Sequence, residues 1–98
     1  MKQCLKIAVS GKVQGVGYRE FVKQSAEKLG IEGTIQNDQQ DVMLLHVCGE
    51  SERLTKLIDL LYSGTPKSQI EDIAVEPLVS EKDFRGVFRI IGQELPAA

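Results

Sequence analysis

The spacing of apolar residues changes repeatedly along this chain, and the order of the changes restricts the folds that it can adopt. Residues 4–10 alternate between large apolar side chains and polar or small ones, with Leu5, Ile7 and Val9 on one side. This period of two predicts a strand with one buried face. Residues 19–29 carry apolar side chains at helical spacing and precede a glycine, which predicts a helix with a C-terminal stop.

The rest of the chain repeats these elements with one additional strand. A second helix is predicted to follow Ser51 as its N-cap and to end at Gly64, because the apolar residues between them form one helical stripe. The other apolar runs are predicted strands, at residues 31–37, 42–48, 69–77 and 86–91. The resulting order is β-α-β-β-α-β with a short C-terminal strand.

This order predicts an α+β fold of the ferredoxin-like βαββαβ type, in which an antiparallel sheet carries two helices on one face. A length of 98 residues suits a single domain over residues 1–98. With right-handed crossovers, the third strand lies between the first and the second and is antiparallel to both. The C-terminal ends of the first two strands then lie at the same edge of the sheet.

The apolar faces also predict how the first and third strands are aligned. If Ile7 pairs with Leu45, the large apolar side chains of both strands share the helix-covered face, whereas a slip of one residue would oppose core and open-face positions. The same register sets Cys4 opposite Cys48, at a separation that suits a disulfide. We therefore expect these cysteines to be adjacent and oxidisable to a disulfide. A slip of two residues would separate them, and a reducing compartment would keep two independent thiols.

Composition and charge exclude several classes of protein. The net charge is −2, so no basic excess is available to neutralise the phosphates of a nucleic acid partner. The apolar runs are too short to span a membrane and the N-terminal residues do not resemble a signal peptide, so we expect a cytoplasmic protein without a membrane partner. The single histidine and two cysteines have no metal-ligand spacing, which predicts neither a metal nor another cofactor. We also expect a monomer.

A glycine-rich stretch at residues 10–19 separates the first strand from the first helix, and it contains Gly11, Gly15 and Gly17 before Arg19. Glycines tolerate positive φ and let successive N–H groups point into one anion-binding concavity at a helix N-terminus. Arg19 adds donors suited to phosphate oxygens, although a cation in the first helical turn opposes the helix dipole. These residues alone support an anion site and a plain tight connection with an exposed arginine about equally.

The same stretch resembles the signature of a known enzyme family. "GKVQGVGYR", at residues 11–19, is similar to the acylphosphatase pattern G-x-V-Q-G-V-x-[FY]-R. The likeness extends to "AEKLGIEGTIQN", which ends at Asn37, and to "GVFRI" near the C-terminus. The resemblance implies a ferredoxin-like fold and metal-free hydrolysis of a small-molecule acyl phosphate to a carboxylate and inorganic phosphate.

The resemblance also implies roles for particular residues. Arg19 would bind the phosphoryl group, and Asn37, at the end of the second strand, would position the attacking water. The phosphoryl group would be surrounded by backbone N–H groups, and the same groups would bind inorganic phosphate or a similar anion. These N–H groups would come from Gly15, Val16, Gly17, Tyr18 and Arg19.

Four positions depart from the family's usual pattern. Before the asparagine, the family usually has an aromatic and a basic residue where this chain has Thr34 and Gln36. After it, an Asp-Gly hairpin is replaced by Gln40 and Asp41. We expect these departures to alter affinity and local stability more than the activity itself.

Two other functions are compatible with such a fold: a non-catalytic binding module, and a relative that binds phosphate without turnover. An RNA-binding module of this fold is expected to carry aromatic residues on the central strands, where this chain has Lys6, Ala8, Leu44 and His46 on the predicted open face. The presence of an arginine and an asparagine at the two signature positions argues against loss of turnover.

Overall fold

The predicted elements occur in the predicted order in a computed structural model that describes residues 1–39, 41–78 and 83–92. Neither of its helices has the length and apolarity of a membrane-spanning segment. The elements are β1 (Lys2–Lys12), α1 (Tyr18–Lys28), β2 (Glu32–Asn37), β3 (Val42–Glu50), α2 (Ser51–Ser63), β4 (Gln69–Pro77) and β5 (Phe88–Ile90).

The strands form one sheet in the order β4-β1-β3-β2-β5, with β3 antiparallel to both β1 and β2 as predicted. β4 pairs with β1 in an antiparallel manner and β5 pairs with β2 in a parallel manner, so the complete sheet is mixed. The direction of β5 follows from the topology, because the chain reverses after β4 and β5 therefore runs the same way as β1 and β2. The ferredoxin-like fold is confirmed, and β1 and β2, which flank β3, run in the same direction toward one edge of the sheet.

β1 and β3 pair in the register predicted from their apolar faces, with Ile7 opposite Leu45 and Cys4 opposite Cys48. In the structure the two cysteines form a disulfide, and their Cα atoms are 4.1 Å apart. Because successive residues of a strand point to opposite faces, this pair lies on the face opposite to Ile7 and Leu45. The register prediction is therefore confirmed.

The start of α2 differs from the prediction. Ser51 is its first helical residue, and Glu50 occupies the N-cap position without a side-chain capping bond. The backbone N–H of Ser51 donates to the carbonyl oxygen of Met1, and the Ser51 hydroxyl lies 2.6 Å from Gln3 Oε1. Ser51 therefore ties the start of α2 to the N-terminal residues of the chain. Because β3 continues to Glu50 and α2 begins at the next residue, Glu50 is both the last residue of β3 and the N-cap of α2.

The hydrophobic core lies between the sheet and the two helices. One face of each central strand is buried, as the alternating burial of β1, β2 and β3 shows. Both helices bury one stripe against it, as amphipathic surface helices do. The helical residues in this core are Tyr18, Val22 and Ala26 from α1 and Leu54, Leu57 and Leu61 from α2.

Candidate active site

The loop that joins β1 to α1, residues 13–17 (the site loop), takes a backbone conformation that requires glycine. Gly15 has a φ of 72° and Gly17 a φ of 75°, both in the left-handed region. A Cβ atom at either position would meet nothing within 4 Å, so the requirement comes from the backbone and not from crowding. Consecutive left-handed and right-handed residues are the geometry that turns neighbouring N–H groups toward one side.

Gly11 belongs to a different feature from the other two glycines of the sequence stretch. It lies within β1, where the pairing with β4 shifts between Ser10 and Gly11. Its φ is 134°, and a Cβ atom there would overlap the carbonyl oxygen of Gln69. Gly11 therefore permits a bulge in the sheet next to the site loop, as glycines in bulges commonly do.

The helix that follows the site loop has an N-terminus without a side-chain cap. Gly17 is the N-cap residue of α1, and its carbonyl oxygen accepts the first helical bond from Phe21 N–H at 3.1 Å. Arg19 is half-buried in the first turn, next to the exposed Glu20. The uncapped N–H groups and the positive end of the helix dipole favour an anion at the start of α1, and Arg19 adds a cationic side chain to the same turn.

Three side-chain hydrogen bonds hold the site loop and the start of α1 to their surroundings, and sequence reasoning identified none of them. The Tyr18 hydroxyl donates to the carbonyl oxygen of Leu61 at 2.9 Å, and burial raises the pKa of this phenol well above its usual range. Thr65 Oγ1 donates to the carbonyl oxygen of Val16 at 3.0 Å. On the other side, Gln14 Nε2 donates to the carbonyl oxygen of Gln39 at 3.0 Å. The site loop is therefore held by the turn that follows α2 on one side and by the β2–β3 turn on the other, and the start of α1 is held by α2.

Asn37 lies at the end of β2 and faces the site loop across the sheet edge. Its Oδ1 atom is buried and has no hydrogen-bond partner among the described residues. Buried polar atoms in native proteins are nearly always hydrogen-bonded, and an exception calls for an explanation such as a catalytic role or an ordered water. The amide oxygen of Asn37 is thus a buried acceptor without a partner among the described residues, on a residue that lines the site.

The site loop, the start of α1 and the end of β2 enclose a cavity of about 760 Å³, within the range of small-molecule sites. No pattern in the sequence indicated a cavity of this size. Its apolar lining comes from Val13, Met43 and Ile90, and two carboxylates that were not expected at the site, Glu20 and Asp38, also line it.

The structure brings most of the predicted site residues to this cavity. Its lining includes Gly15, Gly17, Tyr18, Arg19 and Asn37, whereas Val16 packs against the hydrophobic core. The ring of Tyr18 is also buried in that core, so only its backbone can face an anion. Among the described residues, no group of three or more His, Cys, Asp and Glu side chains is placed to hold a metal ion.

The remaining predicted positions lie away from the cavity or serve the adjacent turn. Cys4 and Cys48 lie at the opposite end of the β1–β3 pair. Thr34 lies opposite His46 on the open face. Asp41 has a φ of 66°, and its carbonyl oxygen accepts a hydrogen bond from Gly11 N–H at 3.0 Å. Gln40 lies outside the described residues.

Topology and site position together define a class of protein. The sheet with two helices on one face is a ferredoxin-like α+β fold, and the cavity is built where the β1–α1 loop meets the end of β2.

Comparison with known proteins then gives the family. The acylphosphatase family model matches residues 5–90, and the chain belongs to the acylphosphatase family. It is an enzyme of the class that hydrolyses acyl phosphates.

Individual relatives agree with this assignment. The chain is 37% identical over 84 residues to an acylphosphatase of Coxiella burnetii, an alignment that covers 84% of this chain and 88% of the relative. The solved acylphosphatase structure from the same organism has a TM-score of 0.84 at 33% identity, covering 92% of this chain and 93% of that one. The Bacillus subtilis acylphosphatase structure has a TM-score of 0.87 at 29% identity, covering 94% and 100%.

Proposed function

We propose that hydrolysis takes place in the cavity at the sheet edge, with Arg19 and the backbone N–H groups of residues 15–19 binding the phosphoryl group and Asn37 positioning the attacking water. The observation that carries this proposal is the buried Oδ1 of Asn37, which lacks a partner among the described residues and belongs to a residue that lines the same cavity as the left-handed loop and Arg19.

The phosphoryl group is the ligand that suits Arg19 and the start of α1, both of which line the cavity. Its oxygens carry the negative charge that the uncapped start of α1 and the Arg19 guanidinium both favour. Arg19 can offer two parallel N–H donors to two phosphoryl oxygens, which orients the group as well as binding it. An anion placed there turns the repulsion between Arg19 and the helix dipole into a shared attraction.

The attacking water is assigned to Asn37 because Oδ1 can only accept a hydrogen bond. A water that donates one hydrogen to Oδ1 directs an oxygen lone pair elsewhere, and the site loop lies across the cavity from Asn37. Holding the water in line with the phosphorus atom replaces a bimolecular encounter by a positioned attack. Asn37 thus contributes through orientation and not through proton transfer.

These groups suffice for the chemistry of an acyl phosphate. As the water oxygen bonds to phosphorus, the bond from phosphorus to the carboxylate oxygen breaks, and the carboxylate leaves without needing a proton. The transition state is loose, with charge spread over the equatorial oxygens that Arg19 and the loop N–H groups contact. A phosphoryl oxygen of the substrate accepts the water's proton, so we propose a metal-free reaction without a protein general base.

A non-catalytic RNA-binding function is less well supported. The open-face positions of β1, β2 and β3 contain no Phe, Tyr or Trp, and the single ring there, that of His46, does not make a platform for successive bases. We also propose that the enzyme acts as a monomer, because every residue assigned to the site belongs to one chain. The cytoplasmic location stays a prediction from the sequence.

The proposed reaction is tested by measuring hydrolysis of a model acyl phosphate such as benzoyl phosphate, with a phosphate monoester as the control substrate and a chelator present. We expect turnover of the acyl phosphate alone, unchanged by the chelator, and competitive inhibition by inorganic phosphate. Loss of activity in chelator, restored by added metal ions, would contradict the metal-free step. Size-exclusion chromatography of the active enzyme checks the monomer.

A further inference from the structure

The turn between α2 and β4 touches the site loop although it lies outside the family signature. Thr65 Oγ1 donates a hydrogen bond to the carbonyl oxygen of Val16, at 3.0 Å and in a partly buried position. Val16 lies between the two left-handed glycines of the loop and packs against the core, whereas both glycines line the cavity. A residue 49 positions away in sequence therefore holds the middle of the site loop.

Peptide geometry links this contact to the anion-binding side of the loop. The carbonyl of Val16 and the N–H of Gly17 belong to one peptide group, and no cis peptide bond occurs in the described residues. In a planar trans peptide the C=O and N–H bonds point in opposite directions. A hydrogen bond that holds the carbonyl toward Thr65 therefore turns the N–H of Gly17 away from Thr65, and Gly17 lines the cavity.

The flanking glycines make such a constraint necessary. Gly15 and Gly17 give the loop its left-handed geometry, but glycine also allows many other backbone conformations in the absence of restraint. The peptide between Val16 and Gly17 has a glycine on its C-terminal side, and the φ of a glycine can vary widely at little steric cost. A hydrogen bond to the carbonyl removes that freedom and also polarises the peptide, which strengthens its N–H as a donor.

Thr65 is itself held rigidly. Its backbone N–H donates to Ser68 Oγ at 2.8 Å, and the N–H of Ser68 donates to the carbonyl oxygen of Thr65 at 3.0 Å. Nearby, the Tyr18 hydroxyl at the start of α1 donates to the carbonyl oxygen of Leu61 in the last turn of α2, so a second bond holds the same two parts of the chain together. The donor atom of Thr65 thus has a fixed position relative to α1.

We infer that Thr65 is a positioning residue for phosphoryl binding, which acts by orienting the peptide between Val16 and Gly17 so that the Gly17 N–H faces the phosphoryl oxygens. This inference rests on the proposed function, because it assumes that the loop N–H groups bind the phosphoryl group. Thr65 has no contact with the substrate in this scheme, and it affects binding by keeping one donor aligned before the substrate arrives.

The test compares Thr65→Val, which preserves shape and removes the donor, with Thr65→Ser, which keeps the hydroxyl. We expect Thr65→Val to weaken inorganic phosphate binding and to lower kcat/KM for an acyl phosphate, each by about 3- to 10-fold, the usual net value of one neutral hydrogen bond. Thr65→Ser should restore most of both. In ¹H–¹⁵N spectra, the phosphate-induced shift of the Gly17 amide should shrink in Thr65→Val and return in Thr65→Ser.

Thr55 provides a matched control, because its Oγ1 donates to the carbonyl oxygen of Ser51 at 3.1 Å in the exposed part of α2. Thr55→Val should leave phosphate affinity and kcat/KM unchanged. If Thr65→Val does not fold, Thr65→Ala takes its place. Equal phosphate affinity in the folded Thr65→Val, Thr55→Val and unmodified enzymes would overturn the inference while leaving the proposed function intact. An unmodified enzyme that neither binds phosphate nor hydrolyses the acyl phosphate would overturn both.

Discussion

The two ends of β1 differ in how closely they follow the local preferences of strands and helices. Near its start, Cys4 is joined to Cys48, and Lys2 Nζ lies 3.7 Å from Glu32 Oε1. The other carboxylate oxygen of Glu32 accepts a hydrogen bond from Phe84 N–H at 2.9 Å. This end of the strand is tied to β3, to β2 and to the segment before β5.

At the other end of β1, local preferences are repeatedly violated. The backbone enters the left-handed region, α1 starts without a side-chain cap, and Arg19 opposes the helix dipole. Asn37 Oδ1 is buried without a partner among the described residues. Violations of local preferences are expected at functional sites. They lower the stability of the folded state, and stabilising interactions elsewhere in the fold offset that loss. The comparison predicts that changes at the loop end affect activity and changes at the cysteine end affect stability.

Substitution of Arg19 should have the largest effect on activity. We expect Arg19→Ala to lower kcat/KM by at least about 10³-fold, as loss of an arginine that stabilises phosphoryl-transfer charge typically does. Arg19→Lys should recover little, because an ammonium cannot form two parallel bonds. The free energy of unfolding should not fall, since a cation is removed from the helix N-terminus. Steady-state kinetics and chemical unfolding measure the two effects.

Arg53 on α2 is the control for this substitution, since it is an exposed arginine that does not line the cavity and whose guanidinium donates to the carbonyl oxygen of Leu29 at 3.4 Å. Arg53→Ala should retain full activity. Near-normal activity of Arg19→Ala would show that Arg19 has no part in the proposed mechanism. It would also contradict the prediction that changes at the loop end of β1 affect activity.

Substitution of Asn37 should separate catalysis from binding. We expect Asn37→Ala to lower kcat by ~10²–10³-fold, the usual cost of losing one preorganised polar contact to the reacting groups. The affinity for inorganic phosphate, measured as a competitive inhibition constant, should be retained. The adjacent Gln36 is a control from the opposite face of β2, and Gln36→Ala should leave kcat unchanged. A collapse of phosphate affinity in Asn37→Ala would make Asn37 a binding residue and disprove its water-positioning role.

Reduction of the disulfide should affect stability alone. Cys4 and Cys48 are 44 residues apart, for which the chain-entropy estimate gives about 3–4 kcal/mol of stabilisation. We expect reductant to lower the free energy of unfolding by up to that amount and to leave kcat/KM unchanged wherever the protein stays folded. Thiol titration and peptide mapping after air oxidation verify the bond. Two free thiols after oxidation would show that the cysteines do not pair in solution.

The smallest effect is expected at Tyr18, which lines the cavity and joins the start of α1 to α2. Tyr18→Phe removes the hydroxyl that bonds the Leu61 carbonyl oxygen and leaves that acceptor without its partner, which should lower the free energy of unfolding by about 1–2 kcal/mol. Tyr62, which is 56% exposed, is the matched control, and Tyr62→Phe should be neutral. Activity of Tyr18→Phe should fall less than in Asn37→Ala. A loss as large as that of Asn37→Ala would indicate that the α2 contact governs the site directly.

The sequence by itself determined the features that depend on short-range periodicity. Alternation in β1 and β3 has a period of two, so a register with matched apolar faces could be derived, and it correctly placed Cys4 opposite Cys48. Element order and the handedness of crossovers were enough to bring the site loop and Asn37 to the same edge of the sheet. These inferences need only the chain order and the face on which each side chain lies.

The tertiary structure alone decided how the site is supported. Nothing in the spacing of Thr65 or Gln14 indicates which carbonyl oxygen each will reach, because such contacts depend on the packing of α2 and of the β2–β3 turn. The sequence grouped Gly11 with the loop glycines, whereas close approach of β4 assigns it to a bulge. The burial of Asn37 Oδ1 likewise depends on how several elements pack around it. Periodicity along a single strand predicts which face a side chain lies on, but it does not predict this packing.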